Sequence, residues 1–102
     1  MASINGRDVH KLVVACDAGM GSSVMLASQL RKQLKKSQVT VVHSPLNEIP
    51  GDADVIVCHA GLAARARMSA PEKVIVPFQV FLGDPAVARV VAAVRDGGVV
   101  DG

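Results

Sequence analysis

Eleven consecutive residues, Val13-Val14-Ala15-Cys16-Asp17-Ala18-Gly19-Met20-Gly21-Ser22-Ser23, do most to restrict the folds open to this chain. The segment begins apolar, becomes small and glycine-rich, and ends in serines. An unbroken apolar run without alternation reads as a strand covered on both faces. The glycines that follow allow a tight turn of the backbone. Ser22 or Ser23 then suits the N-cap of a helix running to about Lys36. Met25 or Leu26, Leu30 and Leu34 recur at helical spacing and give that helix one apolar face. A strand passing directly into a helix opens a β-α unit, and such units assemble into parallel sheets.

The rest of the chain repeats the alternation. Residues 1–9 read as a flexible lead-in. Lys11–Cys16 is the first strand and residues 39–43 the second. Ser44-Pro45 opens a short irregular piece with one helical turn, ending near Pro50-Gly51. Residues 53–59 form a third strand, apolar nearly throughout. Leu62, Ala63, Ala66 and Met68 allow a short helix within residues 60–69, ended by Pro71. Residues 73–77 form a fourth strand and residues 78–83 a loop. Asp84 caps a last helix with Pro85 in its first turn. Val87, Val90, Val91 and Val94 make its buried stripe, and Gly97-Gly98 stops it. The fold class is α/β: a three-layer sandwich around a four-stranded parallel sheet of order 2-1-3-4. Its crossovers are right-handed, and one is shortened. Residues 1–102 read as a single domain. In such sheets ligands bind at the carboxyl ends of the strands, where strand order reverses. Cys16 and His59 both end strands there.

Composition excludes several function classes. Of 102 residues, 50% are hydrophobic, which suits a compact core, yet no apolar run is long enough to span a membrane. The N-terminus lacks the apolar core of a signal peptide, so a cytoplasmic protein is expected. A net charge of +2 is too small to imply nucleic acid. Arg31, Lys32, Lys35 and Lys36 gather at the end of one helix, where cations are stabilising. Cys16 and Cys58 have no partner at metal-ligand spacing, and a cytosolic α/β domain does not build on disulfides.

The loop after Cys16 carries the chemistry. Glycine-rich backbone can curl so that successive N–H groups point inward. The next helix adds its own unpaired N–H groups and the positive end of its dipole. A helix N-terminus lowers a thiol pKa from about 8.5, which raises the thiolate fraction. The same donors would hold the three oxygens of a phosphoryl group, whose transfer needs mainly positioning and charge stabilisation. A cysteine-dependent phosphatase needs an arginine six positions after its cysteine to clamp phosphate bidentately. Here that position is Ser22. Serine donors without the clamp suit a carrier better. The plain alternative is a cysteine buried at a strand end.

Residues 15–23 closely resemble the active-site loop of enzyme IIB of the bacterial phosphotransferase system, mannitol class. The resemblance extends over residues 11–95, through Leu30-Arg31-Lys32, His59, Leu62, Arg65-Ala66 and Phe81-Leu82. It implies a fold related to the low-molecular-weight tyrosine phosphatases. It implies that Cys16 accepts a phosphoryl group from a phosphohistidine of an enzyme IIA partner. Cys16 would then pass it to a sugar or sugar alcohol held by a membrane-embedded enzyme IIC. Asp17, Ala18, Gly19, Met20, Gly21, Ser22 and Ser23 would hold the phosphoryl oxygens. No metal or organic cofactor is implied. Where the mannitol class has Arg-Asp after the histidine, this chain has Ala60-Gly61, which removes a cation near the site. A phosphatase and a regulatory docking module of the same fold stay open as alternatives.

Other residues divide between function and structure. Asp17 would order the loop rather than touch phosphate, which its charge repels. His59 either donates to the phosphoryl group, meets the partner, or merely caps its strand. Asp84-Pro85 resembles the general-acid loop of the related phosphatases, but a helix cap explains it better. Cys58 reads as core. Phe78 and Phe81 are core or a docking patch. Arg65 and Arg67 are solvated surface or steer an acidic partner. Nothing marks His10 or His43 as ligands.

Overall fold

The computed structural model describes residues 3–16, 21–80 and 83–101. Strands β2 (Lys11–Cys16), β3 (Thr40–Pro45), β4 (Val55–His59) and β5 (Val74–Phe78) form one sheet in the order β3-β2-β4-β5. All three pairings are parallel. In order of appearance this is 2-1-3-4, the expected order, and the parallel pairing is what the alternation predicts. Helix α1 (Gly21–Gln33) follows β2, α2 (Ala63–Ser69) follows β4 and α3 (Pro85–Asp96) follows β5. The β3-to-β4 crossover holds only a 3-10 turn at Leu46–Glu48, which accounts for the shortened connection.

The central strands are apolar on both faces because both faces are covered. Leu12, Val14, Val55 and Val57 pack with Leu26 and Leu30 of α1 and with Val87, Val90, Val91 and Val94 of α3. Val13, Ala15, Ile56 and Cys58 pack with Leu46 and with Ala63 and Ala66 of α2. Of the two alternatives on α1, Leu26 is buried and Met25 is 59% exposed. Pro45 and Pro77 lie on β3 and β5, the two edge strands, where a missing N–H costs the ladder nothing.

Residues 1–9 differ from the expected flexible lead-in. Ser3–Asn5 forms β1, which pairs antiparallel with β6 (Val99–Asp101). A 3-10 turn at Gly6–Asp8 then leads toward β2. Gly6 donates its N–H to Gly98 O at 2.6 Å. A side chain at Gly6 would overlap the Ala93 carbonyl of α3, so glycine is what lets the segment dock. Gly97, at φ 84°, ends α3 and turns the chain into β6.

Several helix and strand ends also move, among them both ends of the first helix and the end of β3. α1 begins at Gly21, so Ser22 and Ser23 lie in its first turn and neither is its cap. It ends at Gln33 rather than near Lys36. Beyond Leu34 the run Lys35-Lys36-Ser37-Gln38 offers no apolar side chain to pack another turn, and Gln38 takes a φ of 56°. β3 runs on to Pro45, because Ser44 and Pro45 pair with Ala15 and Cys16.

Candidate functional site

β2 is a central strand, and Cys16 is its last residue. The chain re-enters regular structure at Gly21, where α1 begins, so four residues separate strand from helix. The first four amides of an α-helix have no acceptor within the helix and form the positive end of its dipole. The backbone therefore brings Cys16 and a helix N-terminus to one end of the sheet. Asp17, Ala18, Gly19 and Met20 lie outside the described residues, as do the side chains of Cys16, Ser22 and Ser23.

His59 ends β4, the neighbour of β2 on the side away from β3. Ala15 is registered with Cys58, so Cys16 and His59 are the next residues on adjacent strands. The topology thus brings together the two residues that the strand-end rule selects. His59 is half-buried. Its Nδ1 accepts the Gly61 N–H at 3.1 Å. Its ring meets Phe78 edge-on, with centroids 5.9 Å apart. Phe78 is buried and so is a core residue, whereas Phe81 and Leu82 lie outside the described residues.

Asp84 sits after β5 and reads plainly as a cap. Its Oδ1 accepts the Ala86 N–H at 2.8 Å at the start of α3. Its Oδ2 accepts the Gln79 and Val80 N–H groups at 2.7 and 3.1 Å. The Gln79 and Val80 hydrogen bonds hold its pKa below the ordinary carboxylate value, against the opposing effect of burial. A carboxylate kept ionised in this way has no proton to give as a general acid.

Cys58 is wholly buried among apolar side chains, and burial pushes its thiol pKa up, which makes it inert rather than nucleophilic. Arg65 and Arg67 are exposed on α2. A cavity of about 330 Å³ lies behind the outer edge of β5, between α3 and β6. Its lining is Val, Ala and Pro with one charged residue, Arg89, and it holds no nucleophile. Among the described residues no helix is long and apolar enough to cross a membrane.

At the other end of the sheet lies a structural tie that the sequence pattern does not announce. Asp54, in the turn before β4, accepts the His10 and Lys11 N–H groups at 2.7 and 3.0 Å. An acid before an apolar run is a faint signal, since its partners lie more than forty residues away.

Comparison with known proteins agrees with this geometry. A solved lactose-specific IIB component domain of the phosphoenolpyruvate:carbohydrate phosphotransferase system from Streptococcus pneumoniae superposes with a TM-score of 0.54. That match covers 86% of this chain and 93% of the other at 18% identity, a likeness of fold. The mannitol-specific EIICB component of Bacillus subtilis (strain 168) is 37% identical over 86 residues, which is 82% of this chain and 18% of that protein. The mannitol-specific EIICBA component of Escherichia coli (strain K12) is 45% identical over 67 residues, 63% of this chain and 10% of that protein. The chain therefore spans less than a fifth of the length of these curated relatives. The model of the phosphotransferase-system lactose/cellobiose-specific IIB subunit matches residues 11–93. With most of its length matched, and with the parallel sheet of a IIB domain, this chain belongs to the IIB family of the phosphotransferase system.

Proposed function

We propose that this chain is a phosphocarrier of the bacterial sugar phosphotransferase system, with Cys16 as the carrying residue. The observation that carries the reading is the place of Cys16: last on a central parallel strand, with four residues between it and a helix N-terminus. Anions are stable at such a terminus, and a thiol there ionises more readily.

In the first step the Cys16 thiolate attacks phosphorus in a phosphohistidine of a IIA partner. The S–P bond forms as the N–P bond breaks, and the histidine nitrogen keeps the electron pair. In the second step a hydroxyl oxygen of a sugar or sugar alcohol attacks the same phosphorus. The S–P bond breaks, the thiolate returns, and the hydroxyl proton passes to a base beside the substrate. Asp17 to Ser23 supply the donors that hold the phosphoryl oxygens through both steps, with Asp17 ordering the loop. The relatives named for mannitol favour a sugar alcohol as acceptor. Their names join IIB to IIC, which favours a membrane IIC partner and a cytoplasmic position against the membrane. Against a phosphatase stand Ser22 in place of the clamping arginine and the ionised Asp84 cap.

The test supplies phosphoenolpyruvate, the general phosphotransferase components and a IIA protein, and reads the product by intact mass. One phosphoryl group is expected on the wild type and none on Cys16→Ser, with Tm unchanged within about 2 °C. A phosphoryl group found on a histidine of the Cys16→Ser protein would refute the assignment.

A further inference from the structure

A neutral imidazole has one N–H and one bare nitrogen, and the hydrogen bond made by one nitrogen decides the state of the other. In this chain His59 Nδ1 accepts the backbone N–H of Gly61 at 3.1 Å. A nitrogen that accepts carries no proton, so the neutral ring bears its proton on Nε2. Contacts with two described residues, Gly61 and Phe78, bear on the ring. Gly61 lies in the 3-10 turn Ala60–Leu62, which follows β4 without a gap. Phe78, itself fully packed, meets the imidazole at an interplanar angle of 89°. Phe78 belongs to the apolar cluster that α1 and α3 cover, so the imidazole stands toward the face on which α1 packs. β2 and β4 are neighbours, and backbones of neighbouring strands lie about 4.8 Å apart. Cys16 and His59 follow directly on the last registered pair of those two strands.

We propose that His59 is a catalytic hydrogen-bond donor to the phosphoryl group on Cys16, and that the Gly61 amide is the positioning group that fixes its tautomer. The inference rests on the phosphocarrier reading above and adds a residue to it. A neutral donor suits a protein that must release what it binds. It stabilises charge on a phosphoryl oxygen as the S–P bond forms. It adds no full positive charge of the kind that makes a guanidinium grip phosphate strongly. The Nε2 proton stays on His59 through both transfers, so the balance of bonds and charges is unchanged.

Two measurements test this. Long-range ¹H–¹⁵N correlation on the ¹⁵N-labelled protein at neutral pH reads the tautomer directly. Nε2 protonated and Nδ1 bare is the expected result, and the opposite tautomer overturns the proposal. The second measurement is the rate of phosphoryl acceptance from phosphorylated IIA, with melting curves of each variant. His59→Ala is expected to slow acceptance about 10- to 100-fold. His59→Gln, whose amide N–H can replace Nε2–H, is expected to stay within about fivefold of wild type. A wild-type rate in His59→Ala removes the role of His59 and leaves Cys16 as the carrier. Equal slowing in Ala and Gln variants, with a matching fall in Tm, makes His59 a packing residue and also removes it. A wild type that takes no phosphoryl group removes the carrier reading and this role together.

Discussion

Among the described residues, side chains at the amino ends of the strands tie distant parts of the chain together; at the carboxyl ends the amide hydrogen bonds that close the turns at Asp84 and His59 stay within five residues, although the His59 ring also meets Phe78 on the next strand. Asp54 holds His10 and Lys11 across more than forty residues. Its own N–H donates to Lys11 O at 2.9 Å. The Lys11 ammonium pairs with Asp52 at 3.1 Å, and Lys73 Nζ donates to Gly51 O at 2.7 Å. Gly6 docks onto the last turns of α3 at the same end. Across the sheet, Asp84 binds residues 79, 80 and 86, and His59 binds Gly61. Hydrogen bonds at one end therefore link neighbouring strands, while the turns at Asp84 and His59 at the other end are closed by bonds within a few residues. Turns closed locally can change without disturbing the register, which suits the end where Cys16 closes its strand.

The contrast predicts that substitutions at the amino end cost stability and leave transfer intact. Gly6→Ala is the severest of these. The added methyl would overlap the Ala93 carbonyl, and its nearest neighbours are all α3 backbone atoms, which cannot swing aside as a side chain could. A loss of about 3 kcal/mol is expected, with β1 and β6 separating from each other. Chemical denaturation measures the first and amide hydrogen exchange at Ile4 and Val100 the second. Asp54→Ala comes next. It leaves two backbone N–H groups without their carboxylate, a cost of about 2 kcal/mol. Phosphoryl acceptance per folded molecule should stay within about twofold of wild type in both variants. A larger change in either would show that the two ends are not independent.

The same contrast explains what could be read from the sequence. Asp84-Pro85 declares a helix cap because its partners are two to five residues away. That Cys16 and His59 each end a strand follows from unbroken apolar runs ending in those two residues. β1 and β6 escaped notice because each is three residues long and its partner lies at the opposite end of the chain. No local pattern marks a three-residue strand. Asp54 escaped for the same reason of distance. The C-terminal end of α1 shifted because a helix boundary depends on which apolar side chain packs last, and Leu34, just past Gln33, is that residue. The tautomer of His59 could not be read at all, since it depends on one amide approaching one nitrogen.

The smallest expected effect sharpens the comparison from the carboxyl end. In Asp84→Asn one side-chain oxygen becomes an NH2 group. Either orientation turns a donor toward amides that need an acceptor: Ala86 in one, Gln79 and Val80 in the other. Tm should fall by about 5 °C at pH 7. The pH dependence has a definite sign. The native pKa of Asp84 lies below its ordinary value of 3.8, because backbone N–H groups favour the charged form. Its stabilisation is therefore complete above the unfolded-state value of about 3.9 and is lost as pH falls through the lower native value. Melting curves of wild type and Asp84→Asn should keep a constant separation from pH 7 to about 5, then converge in stronger acid. A separation that widened on acidification would mean that the native carboxyl is protonated more readily than the unfolded one. That result would return Asp84 to consideration as a proton donor and blur the division between the structural and the reactive groups of this end.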